Sequence, residues 1–230
     1  MRHRLGWKGE GDRPSGRRSV KVTKKEAGKR VVCNSQGYPL SVMDGELYWY
    51  PDFIDPVSAS ALYRQLEKEV IWRQDYLRMG ARQVAIPRLQ AWYGEQGYRY
   101  SGLYLEPQPW LAAHRQLLAL LEEQLGLSFN SVLMNLYRDG NDSVGWHADD
   151  EPELGINPCI ASLSLGATRR FHLRHREHTE QRLSLELGHG ALLVMSGPMQ
   201  HHWRHQIPKT RRPVGPRINL TFRSINPPEG

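Results

Sequence analysis

Cysteine is nearly absent from this chain of 230 residues: Cys33 and Cys159 are too few for a disulfide framework. That excludes a disulfide-stapled secreted scaffold and makes a reducing, intracellular compartment the expected setting. Long apolar runs are missing too. The longest candidate, ALLVM at 191–195, falls far short of the roughly 18 residues that cross a bilayer, and no apolar segment follows the opening MRHRLGWKGEGDR, where a secretory signal would carry one. A soluble protein with no membrane partner is expected. No repeat of fixed period is visible, and at roughly 100–200 residues per domain the length suits one domain, or one with a tail.

Acidic residues are short in one place. Residues 1–32 hold 11 Lys/Arg against 3 Asp/Glu, whereas the other 198 hold 20 against 21, so the net charge of +7 belongs to the N-terminal stretch. This stretch is rich in Gly and Ser and poor in periodic apolar residues, a composition that cannot offset its ordering entropy by burial. Residues 1–40 are therefore read as a basic, disordered tail and 41–230 as the folded domain. Such a tail either adds non-specific affinity for polyanions or is a solvated extension with no partner.

What the rest of the chain does have is periodicity. ELYWYPDF opens the folded region, with Leu47, Tyr48, Trp49 and Tyr50 reading as a strand. Asp55-Pro56 signals a helix start, and Ala59, Leu62, Leu66 and Val70 then recur at helical spacing. Pro109 predicts a second helix start, with a stripe of Trp110, Ala113, Leu117, Leu120, Leu121 and Leu125 that stops at Gly126. From about residue 131 the period changes to two, through SVLMNLYR, CIASLSLG, RRFHLRH, RLSLEL, ALLVMS, HHWRHQI and RINLTFR, separated by Gly, Pro, Asn or Asp clusters. Several short strands at close spacing predict a mainly β fold, a sandwich, barrel or jelly roll, with the two helices packed on its outside.

Residues able to do chemistry cluster first at His147-Ala148-Asp149. In an extended segment side chains at i and i+2 share a face, so an imidazole and a carboxylate stand side by side, either as two ligands of one metal or as an ordinary polar loop. A metal needs a third ligand. His172, His175, His178, His189, His201, His202 and His205 all lie downstream, and spacing does not choose among them. If HHWRHQI is a strand, His201 and His205 share one face and His202 the other. Two histidines and a carboxylate with open positions suit a non-haem Fe(II) site better than a closed structural zinc site, which usually uses Cys.

Arg217-Ile218-Asn219-Leu220-Thr221-Phe222-Arg223 alternates cleanly, with Ile218, Leu220 and Phe222 on one face and Arg217, Asn219, Thr221 and Arg223 on the other. The polar face meets water, or its two guanidinium forks converge on an anion. At about 3.3 Å per residue the two arginine Cα atoms lie roughly 20 Å apart, a span over which long side chains can grip the two ends of a small dicarboxylate. Asn135-Leu136-Tyr137 offers an amide and a phenol on one further face.

N-L-Y at 135–137, H-A-D at 147–149, the H-x-x-P of His205–Pro208 and R-I-N-L-T-F-R at 217–223 stand in the order and spacing of the AlkB family of Fe(II)/2-oxoglutarate dioxygenases, which the chain resembles over about residues 45–225. Through IPRLQAWYG, YSGLYLEPQPW and HADDEPEL it is most similar to the double-stranded-DNA repair branch. The resemblance implies a double-stranded β-helix form of the jelly roll. It further implies that His147, Asp149 and His205 ligate the iron and that Arg217 grips the distal carboxylate of 2-oxoglutarate. Arg223 would serve its metal-proximal end, and Asn135, Tyr137 and Asn219 would complete the cosubstrate site. The implied reaction converts O2 and 2-oxoglutarate to succinate and CO2 while an N-alkyl group is hydroxylated and lost as aldehyde, formaldehyde for a methyl.

Typical targets of the family are 1-methyladenine and 3-methylcytosine in DNA, bases that must be flipped out of the duplex and stacked in a pocket. Likeness to the family puts Tyr100 on the flipped base opposite His147, with Tyr98 and Asp150 or Glu151 as polar contacts and Trp92 as a rival for stacking. Arg88 sits beside this segment as a backbone contact. Lys209, Arg211 and Arg212 fall where DNA-active relatives place a basic loop, and Arg169 and Arg170 offer further phosphate contacts. In YLRMGARQVAIPR, Met79 or Leu77 replaces the aromatic finger that fills the gap left by the base. A monomer acting on double-stranded alkylated DNA is the expected form, in the cytoplasm of a bacterium or the nucleus of a eukaryote. Competing readings are a relative acting on methylated RNA or protein, a nucleic-acid-binding module without catalysis, and a zinc hydrolase, which has no use for the paired arginines.

Overall fold

The computed structural model describes residues 33–80, 82–100 and 103–226, with the backbone alone at 79, 98–100 and 103. The basic stretch 1–32 lies outside the described residues. The elements, in chain order, are β1 (Tyr38–Leu40), β2 (Glu46–Tyr50), α1 (Pro56–Glu69), β3 (Tyr76–Met79), β4 (Arg82–Ala85), β5 (Leu89–Gly94), β6 (Tyr98–Tyr100) and β7 (Leu103–Leu105). There follow α2 (Ala112–Leu125), β8 (Ser131–Tyr137), β9 (Val144–His147), β10 (Ile160–Gly166), β11 (Arg169–His175), β12 (Arg182–Leu187), β13 (Leu192–Ser196), α3 (Met199–His202), β14 (Trp203–Ile207) and β15 (Arg217–Arg223).

Two antiparallel sheets form the jelly roll. The larger runs β1-β2-β13-β10-β15-β8-β5 and the smaller β12-β11-β14-β9, with β3-β4 and β6-β7 as separate hairpins. Six of the seven runs from residue 131 onward become strands at nearly the boundaries read from the sequence, and the seventh, HHWRHQI, does so only from Trp203. Two readings need correction. Tyr38–Leu40, placed with the tail, pairs with β2 as a three-residue edge strand, too short to show an alternation. The second helix begins at Ala112, because Leu111 is still extended (φ −73°, ψ 157°), and Trp110 packs edge-on against His114.

Local chemistry sets both helix starts and stops. Asp55 Oδ1 accepts from the backbone N–H groups of Val57 and Ser58 at 3.0 and 3.2 Å, with Pro56 in the first turn, where its missing N–H costs nothing. Gly126 ends α2 at φ +67°, a conformation that a Cβ would strain. The helices bury Leu62, Leu66, Leu117 and Leu121 against Val132, Met134, Leu163, Ile218, Leu220 and Phe222 of the large sheet. Each such side chain contributes roughly 1.5–3 kcal/mol by leaving water. A second cluster, including Leu133, Tyr137, Phe171, Leu173, Leu193 and Ile207, fills the space between the two sheets. The helices thus close the outer side of the large sheet and leave its inner side to face the small one.

Candidate active site

Register aligns the inner side of the large sheet into rows. β15 lies between β8 and β10, so Arg217 stands level with Tyr137, Asn219 with Asn135 and Ser164, and Thr221 with Leu133 and Ser162. Opposite them, in the small sheet, His147 of β9 is paired with His205 of β14. Asp149 follows two residues after β9. These side chains, Ser164 apart, line one cavity between the sheets.

His147, Asp149 and His205 each present a ligand atom within 4.8 Å of the others. His147 Nδ1 donates to the carbonyl of Gly145 at 2.8 Å, which fixes its proton there and leaves Nε2 as a lone pair 3.8 Å from Asp149 Oδ1. Burial lowers the His147 pKa, and burial with the nearby His147 ring pushes His205 down to about 3, so both imidazoles are neutral at pH 7. Burial alone would raise the Asp149 carboxyl. Arg223 and the two imidazoles instead hold it down at about 2, and Arg223 Nη2 donates to Asp149 Oδ2 at 2.7 Å. Asp149 Oδ1, buried in the same cavity, has no hydrogen-bond partner among the described residues. Two neutral imidazoles and a carboxylate oxygen left over for a cation are the donor set that an Fe(II) centre with open positions takes.

Arg217 repeats this pattern with the opposite charge. It is 1 % exposed, and burial draws its pKa down to about 10, so it remains a cation at neutral pH. Its Nη2 donates to Ser164 Oγ at 2.8 Å, and its guanidinium carbon lies 5.2 Å from the Tyr137 ring centre. Nε and Nη1 have no partner in hydrogen-bond geometry among the described residues. A buried cation with donors to spare is costly unless an anion meets it, and the fork suits a carboxylate. Asn219 Nδ2 donates to Ser162 Oγ and the Leu163 carbonyl at 2.9 and 3.0 Å. Asn135 Oδ1 accepts from Arg88 Nε at 2.7 Å and Gln90 Nε2 at 3.1 Å, which commits the amide oxygen and leaves its NH2 to donate.

A model described as the 2OG-Fe(II) oxygenase superfamily matches residues 46–223. The alpha-ketoglutarate-dependent dioxygenase alkB homolog 3 of Mus musculus is 46% identical over 213 residues, 86% of this chain and 73% of that protein. The DNA oxidative demethylase ALKBH2 of Homo sapiens is 38% identical over 188 residues, 76% of this chain and 72% of that protein. The chain belongs to the AlkB family of 2OG-Fe(II) oxygenases. Its cofactors are accordingly Fe(II), 2-oxoglutarate and O2. A solved AlkB-like structure titled "The structure of OsALKBH1" superposes with a TM-score of 0.61 at 16% identity, over 81% of this chain and 100% of the other, a likeness of fold.

Within this AlkB fold, other residues singled out in the sequence fall in different places. Trp92 is not positioned to stack on a base: it is 2 % exposed, it packs with the inter-sheet core and its indole N–H donates to the Gln96 carbonyl at 2.8 Å. Arg88 is 4 % exposed and held by Asn135 and the Ser143 carbonyl, so it lines the cavity and is not a phosphate contact on the surface. Arg169 is likewise withdrawn, donating to the carbonyls of Asp139, Asp142 and Pro208 at 2.8–3.0 Å and clamping two loops together. Arg170 is half-exposed beside Glu186. Asp150 accepts from Arg176 at 2.5 Å, and the Glu151 carbonyl caps the turn to Leu154. Lys209, Arg211 and Arg212 stand exposed in the loop after β14. The side chains of Met79, Tyr98 and Tyr100 lie outside the described residues.

His201 and His202 belong to the short helix α3, not to a strand, so the expected alternation through His205 starts only at Trp203. His201 contacts the Ile156 carbonyl. His202 stacks on His175, which with Asp44 forms a second cluster of ligand-type atoms. There His175 Nδ1 accepts the backbone N–H groups of Glu177 and His178, which puts its proton on Nε2, 3.2 Å from Asp44 Oδ2. That is a hydrogen-bonded pair, whose Nε2 has no lone pair to give a metal. Gln200 escaped the sequence reading: it is 1 % exposed and its Oε1 accepts the Asp149 backbone N–H at 3.0 Å. No periodic signal marks a glutamine whose partner is 51 residues away.

Proposed function

We propose that this AlkB-family dioxygenase oxidatively demethylates N-alkylated bases in DNA, with 1-methyladenine and 3-methylcytosine as the lesions and succinate, CO2 and formaldehyde as the products. The observation that carries the proposal is one cavity in which a neutral His147, a neutral His205 and an Asp149 oxygen with no partner among the described residues face a buried Arg217 whose Nε and Nη1 likewise have none among them. The DNA substrate is supported by relatives named DNA oxidative demethylase.

In this reading His147, Asp149 and His205 hold the iron, which when bound supplies the redox chemistry that activates O2. Arg217 holds the distal carboxylate of 2-oxoglutarate. Tyr137, Asn135 and Asn219 surround it with donors, and Arg223 sits at the metal-proximal end, where its bond to Asp149 fixes the carboxylate's orientation. Phe171, Leu133 and Ile207 line the same cavity and keep it dry. A flipped base enters beside His147, the most exposed of the three ligand residues, with Tyr100 as its stacking partner, Tyr98, Asp150 or Glu151 as polar contacts and Met79 as the finger. The protein acts as a monomer on double-stranded DNA within the cell, with Lys209, Arg211 and Arg212 on the complementary strand.

The test is formaldehyde and succinate release with oligonucleotides carrying 1-methyladenine or 3-methylcytosine as duplex DNA, single-stranded DNA and RNA. Turnover of methylated DNA above methylated RNA is expected. Equal or greater turnover on RNA, or on neither, overturns the proposed substrate while leaving the family membership intact.

A further inference from the structure

We propose that the outer face of the four-stranded sheet is a phosphate-binding surface for the nucleic-acid strand, built on a row of three arginines, Arg182, Arg174 and Arg204. The proposal rests on the reading that the protein acts on nucleic acid. Register places the row: Arg174 of β11 is the direct partner of Arg182 on β12 and of Arg204 on β14. Three like charges abreast on one sheet face repel and destabilise it, so the arrangement calls for an anion to offset them.

Some other surface arginines are neutralised by carboxylates. Arg138 pairs with Asp142, Arg170 with Glu186 and Arg176 with Asp150. Among the described residues none of the three in the row forms a salt bridge with a carboxylate. Two of them are nevertheless positioned. The Arg174 guanidinium carbon lies over the Trp146 ring, 4.2 Å from its centre, and Arg182 Nε donates to the Thr179 carbonyl at 2.7 Å. Stacking on an aromatic face leaves the rim of a guanidinium, where its N–H groups point, open to an oxyanion. Together with Arg176 and Thr179 the row borders a cavity of about 330 Å³.

The same two-residue period connects this surface to the active site. Arg204 precedes His205, and Trp146 precedes His147, so the strands that turn the ligand residues inward turn the row and its aromatic platform outward. The row runs across the sheet toward β9, the edge strand at which His147 is accessible. Two strand spacings make it roughly 10 Å long. At 3.4 Å of axis per phosphate in one strand, that span matches about three successive phosphates.

The test is a triple variant, R174Q/R182Q/R204Q, set against a charge-keeping R174K/R182K/R204K. Binding is measured by fluorescence anisotropy over a salt series, using a labelled oligonucleotide of about 20 nucleotides with one 1-methyladenine. Neutralising about three phosphate contacts should weaken binding at low salt by tenfold or more and flatten the log–log salt slope by about 2, near 0.7 per phosphate. The Lys variant should keep most of the slope. Turnover of a methylated trinucleotide, whose two internucleotide phosphates cannot occupy all three arginines, should fall less than turnover of the 20-nucleotide substrate, and the melting temperature should hold or rise as repulsion is removed. An unchanged slope and affinity overturn the proposal. So does a variant that loses binding of inorganic pyrophosphate but not of the oligonucleotide, since the row would then hold a small anion. Weakened oligonucleotide binding in a protein that turns over no methylated DNA leaves this surface standing and removes the proposed substrate chemistry.

Discussion

The two faces of β15 are made by the same seven residues and have opposite characters. Ile218, Leu220 and Phe222 are fully buried in the apolar cluster formed by the large sheet and the two helices. Arg217, Asn219, Thr221 and Arg223 are almost as buried, at 1–7 % exposure, yet they face the inter-sheet cavity, and Arg217 Nε and Nη1 have no hydrogen-bond partner among the described residues. One face contributes stability through area removed from water. The other costs stability, because a buried guanidinium with idle donors has given up hydration without full compensation. A single strand therefore separates what holds the fold from what the fold is for, and substitutions on its two sides should read out in different assays.

The sharpest break is expected at the metal-ligand trio. His205→Ala or Asp149→Asn should abolish 2-oxoglutarate turnover while circular dichroism stays native, since β14 stays paired with β11 and packed through Trp203 and Ile207; full activity in His205→Ala would remove that residue from the site. On the apolar face, Phe222→Ala should cost about 3–5 kcal/mol in urea unfolding, the range for emptying a packed aromatic site. If Phe222→Ala cost under about 1 kcal/mol while Asn219→Ala cost more, the assignment of the two faces would be reversed.

A titration sharpens the same comparison. His114 lies on the apolar side, 0 % exposed, with Nδ1 accepting the Leu111 N–H and Nε2 3.1 Å from Met134 Sδ. Burial pushes its pKa down to about 4, below the roughly 6.5 of an unfolded chain. Between those pH values the unfolded chain binds a proton that the folded one refuses, so stability is full above about pH 6.5 and falls as pH drops toward 4. The loss amounts to about 3 kcal/mol. His114→Leu should remove that share of the pH dependence, measured as the difference in unfolding free energy between pH 7 and 4. The smallest expected effect is Arg217→Lys, which keeps the charge and loses the fork. It should raise the apparent KM for 2-oxoglutarate roughly ten- to a hundredfold, or about 1.5–3 kcal/mol, with methylated-DNA binding near wild type. If cosubstrate dependence stayed constant and DNA binding fell instead, the polar face of β15 would belong to the nucleic-acid interface.

Seven of the strands from residue 131 onward were legible because short β-rich runs stand between Gly, Pro, Asn or Asp clusters and several alternate in polarity, and the first helix because Asp55-Pro56 and a leucine stripe mark it. The hairpins β3-β4 and β6-β7 left no such trace: Arg82–Ala85 are all exposed, so no buried face imposes a pattern. Within the site, residue chemistry and order pointed to His147, Asp149, Arg217 and Arg223. Spacing alone did not select His205 from seven downstream histidines, and resemblance to the AlkB family did. Exposure was the blind spot. Arg88, Arg169 and Trp92 looked like surface or stacking groups and are buried, while Gln200, the partner of the Asp149 N–H, looked like nothing in particular.

What the sequence by itself determined is therefore what short-range periodicity and residue chemistry carry: a β-rich domain with two outer helices, and an inventory of imidazoles, carboxylates and guanidiniums able to hold iron and a dicarboxylate. Only the tertiary structure decided which of them meet. His147 and His205 become neighbours through the pairing of β9 with β14, and Arg217 reaches Ser164 and Tyr137 through the register of β15 with β10 and β8. Arg182, Arg174 and Arg204 become one row only when three strands align. Pairing and register depend on loop closure and packing across the whole chain, and a slip of one residue would turn every one of these side chains to the opposite face.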